Sequence, residues 1–488
     1  MIENGTGAAS EALVGKKTNR TTTTPKVAVQ QKGLSPPMPH YKLSIEVGST
    51  FANLVLLNVV NGALYFGKTL TTYPNPIDGI LNGTQFLLET YKVSIAQVRT
   101  MVHGTMWVAP PMEGATMDEI HFFMQPIVNQ YFNELEKKLE EIDFKGIIQV
   151  VNSSGHIISL DEARKMPLQL GISEVVGGVM LSAFISRKLK MPQLWTLDMG
   201  GRAVNLAVIQ NGQPKMTDGL EPACPRMDRT NWAVGGHSMI RTDTEKADVW
   251  IFDKADTPAC YGHGGEMPTI TDADLALGFL NENFFLGGFI VLHKALAINF
   301  LYEKIAKPFG ISVEAAAWKM QQRVHEKMVQ IAQLHLSERG LDPRTLPMMA
   351  YGSMGTVHAF QVARLLGAPQ LIFPVGAGIA SALGFLVSPE RLKSEKGREI
   401  RSSSVPNLPL KQISHRTKHP LYALKGHRSV YLEGNWVECP VYDRYALRVG
   451  DKLPSPVIVE EAESTMVIGA NSSVHLDRFE NIIVNLHY

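Results

Sequence analysis

Two widely separated segments of this chain repeat one design. Lys42 to Leu57 and Leu194 to Ile209 each run an apolar strand into an acid, then one variable residue, a small or glycine-rich turn and a second apolar strand. A hairpin of that kind presents backbone N–H groups where a phosphate can sit. The acid at the strand end can hold a cation or a water beside it. One copy says little, because an acid before a glycine turn occurs in many sheets. Two copies, each opening an α/β half, constrain the fold far more.

The pair points to an α/β protein with two ribonuclease-H-like halves around a cleft, of the actin, sugar-kinase and heat-shock-chaperone type. A small C-terminal β-rich domain is expected to follow. A third glycine turn, Gly352 to Gly355, comes after a strand at Leu346–Tyr351 and before a helix, again a phosphate cradle. The candidate phosphate contacts are therefore Gly48, Ser49 and Thr50, then Gly200 and Gly201, then Gly352, Ser353 and Gly355. Glu46 and Asp198 are the strand-end acids. As a functional pair they bind Mg²⁺ or orient a water; as structural residues each caps its own turn.

Length and charge narrow the class. A chain of 488 residues holds two or three domains. A net charge of +1, from 47 basic and 46 acidic residues, gives no case for nucleic acid or an anionic membrane. Cys224, Cys260 and Cys439 form no C-x-x-C pair, which fits a reducing cytoplasm and no thiolate zinc site. The longest apolar run, Leu286 to Tyr302, is broken by His293 and Lys294 and reads as a buried helix. Residues 1–40, rich in Thr, Ser, Pro and Lys, read as a disordered leader.

Periodicity supplies the rest. A hairpin from Tyr41, a third strand at Ala63–Thr69, a helix from Pro76 and a strand at Arg99–Thr105 build the first half, 41–190. A long helix from Met117 to Ile142 carries Ile120, Phe123, Ile127, Tyr131, Leu135 and Leu139 on one stripe, with a kink expected at Pro126. Ser159 caps a short helix at Leu160–Lys165. The second half, 191–388, is expected to be loop-rich from 220 to 288, with helices at Phe289–Lys307 and Val313–Arg339. A linker at 389–410 leads to the β-rich region at 411–488.

With these segments in order, the chain resembles the hydantoinase A / 5-oxoprolinase family. That family includes subunits of acetone and acetophenone carboxylases and of ATP-dependent cyclic-amide hydrolases. Glu46-Val-Gly-Ser-Thr-Phe-Ala-Asn53 resembles its D-V-G-G-T-F-T-D loop, and Asp198-Met-Gly-Gly-Arg-Ala-Val-Asn205 its D-M-G-G-T-S-T-D loop. His103-Gly-Thr-Met-Trp-Val-Ala-Pro110 is similar to H-G-T-T-V-A-T-N. Ala255 to Gly288 is the most specific stretch, and Tyr351 to Ala359 is similar to the family's F-G-G-A-G-P-L-H-A turn. Pro440 to Arg444, with Gly450 and Asp451, matches the family's tail.

The departures are specific too. Relatives carry an extra lobe where only about a dozen residues, near 106–116, bridge His103-Gly-Thr105 to the long helix. Asn53 and Asn205 stand where both loops end in aspartate, and Ala52, Arg202 and Val204 replace threonines. Each amide removes one formal charge that would attract Mg²⁺. The resemblance therefore implies ATP and Mg²⁺ as cofactors with a weakened site and background hydrolysis by the isolated chain, and no other metal. Arg202 is expected either to contact an anion or to act as counter-ion to Asp198 in an empty site.

Among the histidines, His103, His263 and His358 lie beside glycine turns; His103 is the candidate for a catalytic role with Glu46 and Asp198, and His358 reads as structural. Cys260 reads as a buried structural thiol. The resemblance implies a subunit of a heteromeric ATP-dependent ketone carboxylase or cyclic-amide hydrolase. Such enzymes couple ATP cleavage to phosphorylation of an enol or amide oxygen. The expected partners are a hydantoinase B-like subunit and a second hydantoinase A-like subunit, acting on a small ketone or cyclic amide. The eroded loops favour a degenerate structural or regulatory subunit. The alternatives are an active substrate-phosphorylating subunit or a nucleotide-sensing binding protein. The segment Tyr261 to Phe289, apolar with little periodicity, is the expected subunit interface.

Overall fold

In this computed structural model the described residues are 39–105, 116–171, 173–217, 226–243, 245–246, 248–393, 399–401 and 420–488. The leader up to residue 38, the short connection 106–115, Cys224, and residues 394–398 and 402–410 of the expected linker lie outside them.

The first half is a sheet built on the first hairpin. β1 (Tyr41–Val47) and β2 (Phe51–Asn58) pair antiparallel, and β3 (Leu64–Leu70) adds antiparallel to β2. β4 (Val98–Thr105) and β5 (Ile147–Val151) continue from β1 in parallel, and β6 (Ile157–Ser159) ends the sheet. The order is β3-β2-β1-β4-β5-β6. Parallel steps need crossovers, and helices α1 (Pro76–Thr90) and α2 (Met117–Glu141) supply them. Asn75 caps α1 with Pro76 in its first turn, and Thr116 with Glu119 forms a capping box on α2.

The second half repeats the pattern. β7 (Gln193–Met199) and β8 (Val204–Gln210) form its hairpin, and the strand Arg229–Trp232 lies antiparallel to β8. Strands Met348–Tyr351 and Gln370–Phe373 follow β7 in parallel. Both sheets thus share the ribonuclease-H-like order, three antiparallel strands followed by two parallel ones. The C-terminal region is β-rich and contributes twice. Four of its strands form a separate sheet, while Ile482–Leu486, Ser472–Leu476 and Lys452–Leu453 extend the second half's sheet beyond Gln370–Phe373.

Two helices join the halves, α4 (Ser173–Leu189) and Ala380–Leu386, with the short α3 (Leu160–Lys165) leading toward them. They cross where both are glycine: a methyl group on Gly384 would stand 1.7 Å from the carbonyl oxygen of Gly177. The Ser44 hydroxyl of β1 donates to the Ala382 carbonyl at 2.5 Å, so a helix late in the chain packs on the first sheet.

Several expectations need correction. Only the second part of the expected α2 stripe is buried: Leu135 and Leu139 are core, with Met124, Val128 and Phe132, whereas Phe123 and Ile127 are more than two-fifths exposed. Steps of four residues drift about 40° each around an α-helix, so a stripe read at that spacing winds out of the interface. Pro126 is accommodated within the continuous helix. The region expected to be loop-rich holds the hairpin Ser238–Asp243 with Asp248–Ala255 and the buried helix Ile270–Ala276. The helix expected from Phe289 begins at Lys294. Its would-be first turn is tied elsewhere: Leu292 N–H donates to the Glu282 carbonyl at 2.8 Å and His293 N–H to the Cys260 carbonyl at 2.7 Å. In the expected linker, Arg391–Lys393 pairs with Glu399–Arg401, and Arg391 forms an ion pair with Glu162 at 3.0 Å.

Candidate functional site

The turns of the two hairpins meet across one cleft of about 340 Å³. A methyl group on Gly201 would lie 3.0 Å from the Thr50 hydroxyl, which places the second loop directly opposite the first. Of the expected site residues, Glu46, Gly48, Ser49, Thr50, Asp198, Gly200, Gly201, Gly352 and Ser353 line this cleft. Gly355 and His103 are not in the lining. Gly355 opens the helix Gly355–Leu366 and packs on Met199, where a side chain would come within 3.1 Å of the backbone nitrogen. His103 is buried in the first half, with Nε2 2.8 Å from the Tyr131 hydroxyl, and burial lowers its pKa to about 4. His263 is exposed, and His358 is fully buried against Asp274 and His325.

The hairpins place each acid opposite an amide. Glu46 is in register with Asn53, and Asp198 with Asn205. The two amides are used differently. Asn53 Nδ2 donates to the Glu46 carboxylate. The Asn205 carbonyl oxygen instead accepts from Arg229 at 2.9 Å and from Asn231 at 2.7 Å. Gly352, at φ +86°, closes the third turn so tightly that a methyl group there would stand 2.5 Å from Asp198 Oδ1. Only glycine combines that backbone with that approach.

Further charge at the cleft comes from residues the sequence did not single out. Lys68 on β3 lines it, and burial lowers its ammonium to about 8 against the opposing pull of Glu463, Glu46, Glu461 and Asp198. Burial raises Asp198 to about 7, with Lys68 and then Arg229 pulling it back. The counter-ions of Asp198 are therefore Lys68 and Arg229. Arg202, expected in that role, is exposed and makes no ion pair among the described residues; burial and then the Arg202 charge lower His237 to about 4. Lys68 follows β2 by one hairpin and could have been found as the residue facing Asn53. Arg229 and His237 come from the region expected to be loop.

A chain of rings ties the two loops together. Phe51 meets Phe285 edge-on at 6.4 Å, Phe285 meets Tyr261 at 5.7 Å, and Tyr261 meets His237 at 5.6 Å. His237 N–H donates to the Gly201 carbonyl at 2.7 Å, completing the link to the second loop. The expected interface segment is thus mostly interior to this chain. Tyr261 and the helix Ile270–Ala276 are buried, and of its large apolar residues Phe289 is more than half exposed, as is nearby Val291. Cys260 is buried and its N–H donates to Asp272 at 2.8 Å; burial, then Asp272, raises its thiol, so the structural reading fits.

The cleft suits phosphate oxygens. Among the described residues the backbone N–H groups of Ser49, Thr50, Gly201 and Arg202 donate to no protein acceptor, and turns of this kind make anion-binding concavities. It suits a bare metal ion less well. Among the described residues no group of three His, Cys, Asp or Glu side chains could hold one. A divalent ion at Glu46 and Asp198 would depend on phosphate oxygens and water for its other ligands.

A family model, hydantoinase/oxoprolinase, matches residues 120–393, and its C-terminal-domain model matches residues 383–486. The chain belongs to the hydantoinase/oxoprolinase family. An uncharacterized protein of Methanocaldococcus jannaschii is 24% identical over 74% of this chain and 68% of its own length. The caprolactamase subunit alpha of Pseudomonas jessenii is 26% identical over 60% of this chain. The acetophenone carboxylase gamma subunit of Aromatoleum aromaticum is 29% identical over 38%. The chain spans 42% and 26% of those two relatives. Among solved structures, a chain of nucleotide-free acetone carboxylase superposes with a TM-score of 0.78 at 16% identity, covering 92% of this chain and 100% of that one. The ATP-dependent caprolactamase from Pseudomonas jessenii gives 0.73 at 17% identity, with the same coverage. At that identity the likeness is one of fold, and it agrees with the two-halved α/β architecture. Among the described residues no helix is long and apolar enough to cross a membrane.

Proposed function

We propose that this chain is a hydantoinase A-like subunit of a heteromeric, ATP-dependent ketone carboxylase or cyclic-amide hydrolase, and that it serves there as a degenerate structural or regulatory subunit. The observation that carries the reading is the pairing of Glu46 with Asn53 and Asp198 with Asn205 at a single cleft. The loops keep their phosphate-facing N–H groups, while the second strand of each hairpin offers a neutral amide beside the acid. Phosphates are cradled, but Mg²⁺ is held by fewer charges than two acids per loop would give. The relatives' names support the setting, since caprolactamase alpha and acetophenone carboxylase gamma are subunits. In this reading the partners are a hydantoinase B-like subunit and a second hydantoinase A-like subunit, the small substrate is a ketone or cyclic amide, and the site of action is the cytoplasm.

A second reading, an active substrate-phosphorylating subunit, is favoured by one observation, the placement of Lys68 beside Glu46 and Asp198. Native purification followed by ATP-hydrolysis assays on the isolated chain and on the complex separates the two. The degenerate subunit predicts background hydrolysis alone and no loss of complex activity in Asp198→Asn. Loss of complex activity in that variant would establish the active subunit. A chain that purifies without any partner would end both readings.

A further inference from the structure

Lys68 is a cleft cation that comes from outside the two loops. It stands on β3 facing Asn53 and lines the cleft. From behind it is held by the C-terminal region and the second half: Nζ donates to the Glu463 carbonyl at 3.0 Å and to the Gly378 carbonyl at 3.1 Å. The face of Phe51 lies 5.0 Å away. An ammonium has three donors, and these two carbonyls take two of them. Both acceptors are neutral, so the hydrogen bonds fix the position of the charge without cancelling it. The unpartnered N–H groups of Ser49, Thr50, Gly201 and Arg202 border the same space. Several backbone donors and one fixed ammonium around a cavity of this size match the oxygens of a tetrahedral phosphoryl group.

We propose that Lys68 is a phosphoryl-binding residue, its ammonium contacting a terminal phosphoryl group seated between the Ser49–Thr50 and Gly201–Arg202 turns. The inference rests on reading the cleft as a phosphate site. It adds that Lys68 supplies a fixed positive charge there, so that binding does not require a divalent ion. The turn carrying Glu463 acts as a positioning element.

Calorimetric titration of the full chain with ATP in EDTA, with inorganic phosphate and with adenosine tests this. Lys68→Met should weaken ATP and inorganic phosphate at least tenfold and leave adenosine unchanged. Binding of ATP but not of free phosphate identifies a nucleotide's phosphoryl group as the ligand; comparable binding of both identifies phosphate itself. Equal affinities in wild type and Lys68→Met, or no binding of either anion to the wild type at about 10 mM, would overturn the proposal.

If Lys68→Met does not fold, the wild-type pH profile decides. ATP is fully ionised above about pH 7.5. The groups facing Lys68 are Glu46 from β1, Asp198 from β7, and Glu461 and Glu463 from the C-terminal turn. Asp198 and Glu461 each ionise near 7, below the window in which Lys68, at about 8, loses its proton. ATP affinity should therefore fall toward tenfold per pH unit above about pH 8. A flat profile there would overturn the proposal. A complex without ATP-dependent activity, whose chain still binds ATP through Lys68, would end the subunit reading and leave this one standing.

Discussion

The ammonium of Lys68 donates to the backbone carbonyl oxygen of Glu463 at 3.0 Å, across 395 positions of sequence. The C-terminal region therefore buttresses the cleft from behind. Glu463 itself accepts from the Tyr445 hydroxyl, and the neighbouring Glu461 accepts from Ser464 at 2.9 Å and faces Arg444 at 3.7 Å. This buried cluster fixes where the first half's lysine can stand. It also joins the last strands of the chain to the loop after Gln370–Phe373, through the Gly378 N–H to Glu461 at 3.4 Å.

Restoring the acids should have opposite consequences at the two hairpins. Asn53→Asp replaces the donor to Glu46 with a second carboxylate, and a lost hydrogen bond to a charged group plus repulsion costs about 2 kcal/mol. Asn205→Asp places its new charge against Arg229 and Asn231, so its stability should stay within about 1 kcal/mol of wild type. Urea unfolding in EDTA measures both. Adding Mg²⁺ should reduce the deficit of Asn53→Asp; a deficit unchanged by Mg²⁺ would show that Glu46 and the introduced carboxylate cannot share an ion.

The contribution of two buried carboxyls to stability should fall as pH rises through the carboxylate range. Asp198 goes from 3.8 in an unfolded chain to about 7 here, and Glu461 from 4.5 to about 7, burial being the first cause for each. Between those values the native state keeps protons that the unfolded state has released. The contribution of each to folding is thus largest below the lower value, declines up to about pH 7, and levels off above it. Asp198→Asn and Glu461→Gln mimic the neutral forms. Each should match wild type near pH 4 and exceed it in thermal unfolding at pH 8. A variant less stable than wild type at pH 8 would refute the assignment for that residue.

The crossing of α4 with Ala380–Leu386 should tolerate no side chain. A methyl group on Gly384 meets the Gly177 carbonyl at 1.7 Å, and backbone cannot yield as a flexible side chain can. Gly384→Ala should cost about 3 kcal/mol or more, measured by denaturant unfolding. Gly200→Ala is the control, since nothing lies within 4 Å of its added methyl. It should change stability by less than about 0.5 kcal/mol.

Phe289 and Val291 are exposed apolar residues at the end of a segment whose helix Ile270–Ala276 is core. Phe289 packs edge-on against Phe86 at 5.0 Å, and both rings remain more than two-fifths exposed. Replacing Phe289 and Val291 with serine should lower stability by no more than about 1 kcal/mol, the scale of one aromatic pair. It should also abolish co-purification of the proposed partner subunit. Unchanged co-purification would place the interface elsewhere.

The sequence alone determined the two hairpins, because strand, acid and glycine turn are local features read within one stretch. It determined their likeness to each other, and hence the ribonuclease-H-like halves and the cleft with Glu46, Asp198 and the three glycine turns. Caps were legible for the same reason: Ser159 acts on Glu162 three residues away. What it did not determine were contacts between distant residues. His103 lies next to a glycine turn in sequence, yet its strand's register turns it toward Tyr131 and away from the cleft. Lys68 and Arg229 carry no motif, and they became the counter-ions of Asp198 only through strand pairing. The segment around Tyr261 read as an interface because its apolar residues lack periodicity, but its partners are this chain's own loops. Periodicity reports a face only where one regular element meets one surface; a segment that threads between loops buries its side chains in many directions, and only the tertiary structure decides where they go.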